Sequence, residues 1–212
     1  MRTALFGQRS AIILGVLLVM LAGCAGSPPS TFYQLSSLGG QTQVTREGAP
    51  DQSLIIAIGP VRMPDYLDRS QIVTRSGKNE LKLAEFNRWA GSLEEDVTRV
   101  LVQDISSLLP ADRFFVVRWL PYLESELPVS YRVQLRVESF EGTLGDSVLL
   151  RAHWVVATKG RDVQLKKEST IIEKVSGNDY DALVAAMSNA LEKLGREIAD
   201  GIMSVAAESK KK

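Results

Sequence analysis

The chain has few of the residues that enzymes use for chemistry. It contains one cysteine, Cys24, and one histidine, His153, among 212 residues. An internal disulfide, a thiolate cluster and a zinc site built from paired histidines are therefore excluded. Gly39-Gly40 lacks the lysine and the spacing of a phosphate-binding loop, and no serine lies in a nucleophile elbow. We expect no enzymatic activity, no catalytic residue and no bound metal or dissociable cofactor.

The chain also has no excess of charge. Its 25 basic and 25 acidic residues cancel. Proteins that bind nucleic acid usually carry a strong basic excess, because the phosphate backbone supplies most of the attraction. Nucleic acid is therefore not an expected partner.

The first 24 residues have the parts of a secretory signal followed by a cysteine. Arg2 and Arg9 give a basic start, Ala11 to Met20 form a short apolar core, and residues 21–24 read Leu-Ala-Gly-Cys. The core is too short for a transmembrane helix, which needs about 20 apolar residues. The pattern resembles the processing site of bacterial lipoproteins and predicts a signal peptide over residues 1–23. The alternative is an ordinary signal followed by a stray or buried cysteine.

This resemblance implies a covalent lipid on Cys24, with a diacylglyceryl group on the thiol and an acyl chain on the freed amine. Several acyl chains hold a protein on a bilayer almost permanently, because each buried methylene contributes about 0.8 kcal/mol. The composition of residues 24–30, which are small residues and prolines, predicts a short flexible tether. Ala25 stands where an aspartate would favour the inner membrane, so we expect anchoring to the inner leaflet of the outer membrane, on its periplasmic face.

Hydrophobic patterns predict a sheet in the body of the chain. The apolar run Leu54 to Ile58, which we expect Gly59-Pro60 to end, indicates a strand covered on both faces. Alternating residues predict a hairpin and then a three-stranded meander, whose first turn is Glu141 to Asp146. The predicted strands cover residues 31–35, 54–58, 71–75, 80–84, 114–117, 131–138, 148–156 and 163–175.

Two amphipathic helices are predicted as well. Ser92 and Glu95 are spaced as a capping box, and Pro110 ends the first helix. The second helix begins near Asn178 or Asp179. The apolar positions at helical spacing are Leu93, Val97, Val100, Leu101, Ile105 and Leu108, and then Leu183, Met187, Ala190, Leu191, Leu194, Ile198 and Ile202.

These elements predict a single domain of the α+β class over residues 31–206. Its sheet should be mainly antiparallel, with both amphipathic helices on one face. Residues 207–212 should form a basic disordered tail.

The order of several short motifs resembles a known family. Pro64 to Arg75, then Asn79, Leu81 and the step Arg88-Trp89-Ala90 into the capped helix, resemble the ABC-type transport auxiliary lipoprotein family. The likeness spans nearly all of the mature chain, and its further positions are Phe32 to Leu35, Val61, Val137, Phe140, Leu149 and Trp154. Gly91-Ser92 departs from the family pattern, in which many members have an acidic residue and a proline.

The resemblance implies a role beside an inner-membrane transport system whose periplasmic component contains MCE domains and which moves lipid between the two envelope membranes. The lipoprotein would dock that periplasmic component to the outer membrane and would not hydrolyse ATP. Self-association into a ring of identical subunits fits an axial tunnel. A periplasmic carrier of lipid or of another small molecule is the alternative, and an envelope enzyme is a third hypothesis.

One turn carries the candidate partner-binding residues. Tyr66, Leu67, Asp68 and Arg69 combine large apolar and charged side chains in a loop, and Arg75 follows on the next strand. The alternative is structural: Tyr66 and Leu67 would pack on the core while Asp68 pairs with Arg69 or Arg75.

Overall fold

The computed structural model describes residues 28–37, 53–122, 127–158, 160 and 162–209. The predicted signal peptide, Cys24 and residues 210–212 lie outside the described residues. Of the predicted tether only residues 28–30 are described, and they are exposed. The following elements belong to one compact unit, which begins at Thr31.

Eight strands and two helices make up the described part of this unit. The strands are β1 (Thr31–Tyr33), β2 (Leu54–Arg62), β3 (Gln71–Arg75), β4 (Leu81–Trp89), β5 (Phe114–Arg118), β6 (Val129–Gly142), β7 (Ser147–Thr158) and β8 (Val163–Lys174), and the helices are α1 (Leu93–Leu108) and α2 (Tyr180–Glu208).

The long strand β6 organises the sheet. One of its edges pairs antiparallel with β7, which in turn pairs antiparallel with β8. The other edge is shared, because β2 runs parallel to its first part and β3 joins it at Gly142. β5 flanks β2, while β4 and then β1 flank β3. The sheet is mixed, but its two longest pairings are antiparallel, and the predicted α+β class is confirmed.

Both helices cover one face of the sheet, as predicted. The two helices contact each other, α1 contacts β2 and β5, and α2 contacts β6, β7 and β8. Every predicted apolar position of α2 is buried, and so is every one of α1 except Leu108, which is partly buried. α2 continues to Glu208, so the first two residues of the predicted tail belong to the helix.

The helix starts differ from each other. Asp179 caps α2, since its side chain accepts a hydrogen bond from the Ala182 backbone N–H at 2.8 Å. Ser92 occupies the N-cap position of α1, but its hydroxyl makes no cap hydrogen bond. The Glu95 carboxylate instead lies 3.3 Å from Arg118 on β5. The predicted capping box is therefore wrong, because a tertiary ion pair draws Glu95 away from the helix start.

β2 does not end at Ile58 but continues through Gly59-Pro60. Its register against β6 shifts between Ile58 and Val61, which marks a β-bulge. Gly59 has a φ of 126°, a backbone conformation that favours glycine. Pro60 has no backbone N–H to donate, and it lies where the hydrogen bonds between β2 and β6 are interrupted. Because of the extra residue, Val61 faces the helices and Arg62 faces the opposite side, the reverse of what strict alternation from Ile58 would give.

The start of the compact unit is tied to both helices. The Leu35 backbone N–H donates to Asp96 of α1 at 2.6 Å, and Arg99 donates to the Leu35 carbonyl at 2.7 Å. The Ser36 N–H donates to the Ser188 hydroxyl of α2 at 3.0 Å. The segment that follows β1 is therefore held by polar contacts as well as by the buried Leu35 side chain.

Candidate functional site

The sheet face opposite the helices, called here the outer face, has three parts. At one end a small apolar cluster that includes Trp119 and Leu120 packs over Ile55 and Ala57. At the other end lies the loop of residues 63–70. Between them is an open groove of about 630 Å³ over β2, β6, β7 and β8. We call it the polar groove, and its polar lining residues are Arg62, Gln134, Arg136, Glu138, His153 and Lys166.

The 63–70 loop contains four of the five predicted partner-binding residues. It is a turn, as predicted, in which the Leu67 N–H donates to the Pro64 carbonyl at 2.9 Å. Leu67 is 2% exposed and belongs to the core, so the structural alternative holds for this side chain. Tyr66 is partly buried against the core, whereas Asp68 and Arg69 are exposed. Partner binding through Asp68 and Arg69 stays a prediction.

Arg75, the fifth predicted residue, pairs with Glu141 rather than with Asp68. Glu141 is 1% exposed, and its Oε1 accepts from Arg75 Nη2 at 2.6 Å and from Nε at 3.1 Å. Its Oε2 accepts from the Tyr66 hydroxyl at 2.7 Å and from the Phe140 backbone N–H at 2.9 Å. A buried carboxylate needs several donors to offset its lost hydration, and these three groups supply them.

The sequence pattern does not indicate a role for Glu141, because Gly142 and Gly145 predict a turn over residues 141–146. A second register shift, between Val137 and Ser139, carries β6 on to Gly142 and places Phe140 in the core. Glu141 therefore faces the outer side, beneath the 63–70 loop. Sequence spacing gives no signal for this contact, since Tyr66 and Arg75 lie 75 and 66 positions away.

The environment of Tyr66 keeps its hydroxyl protonated. Burial is the main cause that raises the pKa of Tyr66 well above its ordinary value of 10.0, and the hydrogen bond to Glu141 raises it further. At neutral pH the phenol is a fixed donor to the carboxylate. The 63–70 loop is thereby fastened to β6 through one hydroxyl.

Glu138 joins this loop to the polar groove. Its backbone carbonyl accepts from the Tyr66 hydroxyl at 3.3 Å, and its carboxylate lies 2.8 Å from Nε2 of His153. The other ring nitrogen of His153 is 4.0 Å from Glu168 on β8. Arg151 and His153 lie on the outer side of β7, since they alternate with the buried Leu150, Ala152 and Trp154. The outer face therefore presents charged side chains continuously from the loop into the groove.

Neither helix in the described range has an apolar stretch with the length and hydropathy of a bilayer crossing. The fold and this surface define a two-layer α+β domain with a helix-covered core and a charged outer face. The chain belongs to the ABC-type transport auxiliary lipoprotein component family, whose model matches residues 33–199. The family resemblance of the sequence is thereby confirmed.

Relatives of this chain include the intermembrane transport lipoprotein PqiC of Escherichia coli strain K12, which is 24% identical over 192 residues, covering 90% of this chain and 96% of PqiC. PqiC of Shigella flexneri matches to the same extent. A crystal structure of a Xanthomonas campestris protein is 17% identical, has a TM-score of 0.65 and covers 86% of this chain and 100% of its own. At this identity the structural likeness shows the fold alone.

Proposed function

We propose that the chain is an outer-membrane-anchored intermembrane transport lipoprotein that docks a periplasmic MCE-domain protein of a lipid transport system. The observation that carries this proposal is the family match over residues 33–199, together with relatives named intermembrane transport lipoproteins. The role is binding and positioning, with bond chemistry left to other components. The lipid on Cys24 would fix the module to the inner leaflet of the outer membrane.

The 63–70 loop supports a docking role. Asp68 and Arg69 are exposed on a loop whose neighbours, Tyr66 and Leu67, are held by Glu141 and by the core. A loop that is already ordered loses little conformational entropy when a partner binds, so more of the contact energy appears as affinity. Opposite charges next to each other also favour one orientation of a complementary partner.

Capture by an MCE-domain protein from the same organism tests the proposal. We expect the lipidated wild-type chain to be retained on the tagged partner, and the double variant Asp68→Ala/Arg69→Ala to bind at least about tenfold more weakly. The control is Asp112→Ala/Arg113→Ala, which removes an adjacent and equally exposed Asp-Arg pair from another turn. The control variant should bind like the wild type.

Other outcomes would contradict the proposal. Equal capture of all three chains would contradict docking through the 63–70 loop. Failure to capture any of them would contradict an MCE-domain partner. Lipid that copurifies in stoichiometric amount, enclosed by the protein, would favour the carrier alternative. Native mass spectrometry of the lipidated chain tests the accompanying proposal of a homo-oligomeric ring, which a purely monomeric spectrum would contradict.

A further inference from the structure

The polar groove contains two arginines placed side by side. Arg62 of β2 and Arg136 of β6 are register partners in the parallel pairing of these strands. Both are exposed and both face the outer side. Neighbouring strands lie about 4.8 Å apart, so the two side chains leave the sheet at nearly the same point.

Within the described residues, no carboxylate forms an ion pair with either arginine. Glu138 is the one acidic residue among those that line the groove, and it is engaged by His153 at 2.8 Å. Neither the Arg62 nor the Arg136 guanidinium has a hydrogen bond or ion pair with another described residue. Arg132, on the same face of β6, differs because its guanidinium lies 5.3 Å from the Trp119 ring centre. Lys166 adds a third positive charge to the lining.

Like charges directly opposite each other destabilise a sheet. The fold nevertheless brings this pair together, because the bulge at Gly59-Pro60 turns Arg62 outward, and bulges commonly re-aim a side chain beside a functional site. An anion between the two guanidinium groups would remove the repulsion. Phosphate suits them in particular, since the planar fork of arginine binds its oxygens in a bidentate manner.

The groove is larger and less polar than a lone phosphate ion requires. Its volume is about 630 Å³, within the range of small-molecule sites, and Pro60 and Val155 contribute apolar lining beside the charged residues. Because the groove is open to solvent, the remainder of a larger phosphate ester can extend out of it.

We infer that the polar groove binds the phosphate of an anionic glycerophospholipid headgroup. The guanidinium groups of Arg62 and Arg136 contact the phosphate, and Lys166 lies beside them. The choice of a lipid as the source of the phosphate rests on the proposed function. The inference gives the lipoprotein a contact with the transported lipid or with the membrane surface that is separate from the 63–70 loop.

The test uses the mature lipidated chain in a non-ionic detergent. Its melting temperature is followed during titration with dihexanoylphosphatidylglycerol, dihexanoylphosphatidylcholine or inorganic phosphate, against sodium chloride at equal ionic strength. We expect phosphatidylglycerol to raise the melting temperature, and Arg62→Gln/Arg136→Gln to weaken its binding about tenfold or more. Arg62→Lys/Arg136→Lys keeps the charge without the fork and should give an intermediate loss.

Two features of the variants keep the outcomes interpretable. Because both arginines are exposed and repel each other, Arg62→Gln/Arg136→Gln should melt no lower than the wild type without ligand. Lys82→Gln/Arg113→Gln removes the same charge from exposed positions elsewhere and should keep lipid binding. Equal lipid binding by the wild type and Arg62→Gln/Arg136→Gln would overturn the inference. If inorganic phosphate saturates the groove and phosphatidylglycerol has no effect, the claim that the bound phosphate belongs to a lipid is wrong.

Capture by the MCE-domain protein separates this inference from the docking proposal. Arg62→Gln/Arg136→Gln should still be captured, because the 63–70 loop is intact. If no chain is captured while phosphatidylglycerol binding depends on the two arginines, docking fails and the headgroup site stands. If an acidic peptide binds through the arginines and phosphatidylglycerol does not compete, the groove is a protein-binding site and the inference is wrong.

Discussion

Glu141 shows how one buried carboxylate can order a segment that has little core of its own. Its partners come from the 63–70 loop, from β3 and from the backbone of β6. Removing any single donor leaves a charge that is shielded from water and only partly compensated, which costs more than the net value of one hydrogen bond. The order of the loop therefore depends on Tyr66 as much as on the apolar contacts of Leu67.

Tyr66→Phe should lower the free energy of unfolding by about 1.5–3 kcal/mol, because it deletes a hydrogen bond to a charged and buried acceptor. Urea denaturation of the mature chain at neutral pH measures the change. Tyr180→Phe is the matched control: Tyr180 is also partly buried, its hydroxyl has no hydrogen-bond partner among the described residues, and the change should stay within about 0.5 kcal/mol.

The alkaline side of the pH profile tests whether the folded protein holds the Tyr66 hydroxyl protonated. The raised pKa of Tyr66 means that the folded protein keeps a proton which the unfolded chain loses above about pH 10. The stabilising contribution of Tyr66 is complete below that pH and declines above it. The stability difference between wild type and Tyr66→Phe should therefore shrink as the pH rises past 10, and a constant difference would contradict this assignment.

At the scale of elements, local signals predicted most of the architecture. The helices, the β3–β4 hairpin and the β6–β8 meander follow from apolar periodicity and turn residues, which act over a few positions. The parallel pairings of β2 with β5 and β6 join distant segments and leave no local pattern. Gly59-Pro60 is a signal both for the end of a strand and for a bulge, so the outward position of Arg62 could not be read from it.

The candidate site was predictable only in part. The turn at residues 64–69 follows from sequence pattern. The burial of Leu67, the Arg75–Glu141 pair and the adjacent arginines depend on tertiary register. Two bulges decide that register, at Gly59-Pro60 and after Val137, and each reverses which residues face outward beyond it.

The contact of α2 with the sheet can be tested at two glycines of the same helix. A Cβ on Gly201 would lie 2.8 Å from both the Trp154 ring and Leu165, whereas a Cβ on Gly195 would meet Asp104 at an ordinary 3.4 Å. Trp154 cannot shift freely, because its Nε1 donates to Ser169 at 2.9 Å. Gly201→Ala should destabilise the protein by about 1–3 kcal/mol through overpacking.

Gly195→Ala provides the comparison. It gains the helix propensity of alanine without a clash and should be neutral or stabilising by up to about 1 kcal/mol. Urea denaturation of both variants measures the two effects on the same helix. Equal stability of the two variants would mean that α2 lies farther from Trp154 than the structure places it.

At the scale of the whole molecule, the anchor and the folded module are expected to have separate roles. Cys24→Ser should move the protein from the membrane fraction to the soluble periplasmic fraction, while its unfolding midpoint stays within error of the wild type. Cell fractionation and mass spectrometry of the mature N-terminus measure the change. Ser27→Ala, in the same tether, should leave the lipid and the membrane pool intact. An unmodified thiol on the wild-type chain would contradict the lipid anchor.

The polar contacts of Leu35 and Ser36 also have a mechanical consequence. If the proposed lipid anchor and the proposed partner move apart, the pull enters the folded unit through its first residues. Beyond the short β1 strand, that load passes to Asp96 and Arg99 on one helix and to Ser188 on the other. Once β1 has separated from β4, the pull is shared by both helices, and the strands beyond β4 are not the next part of the fold to bear it.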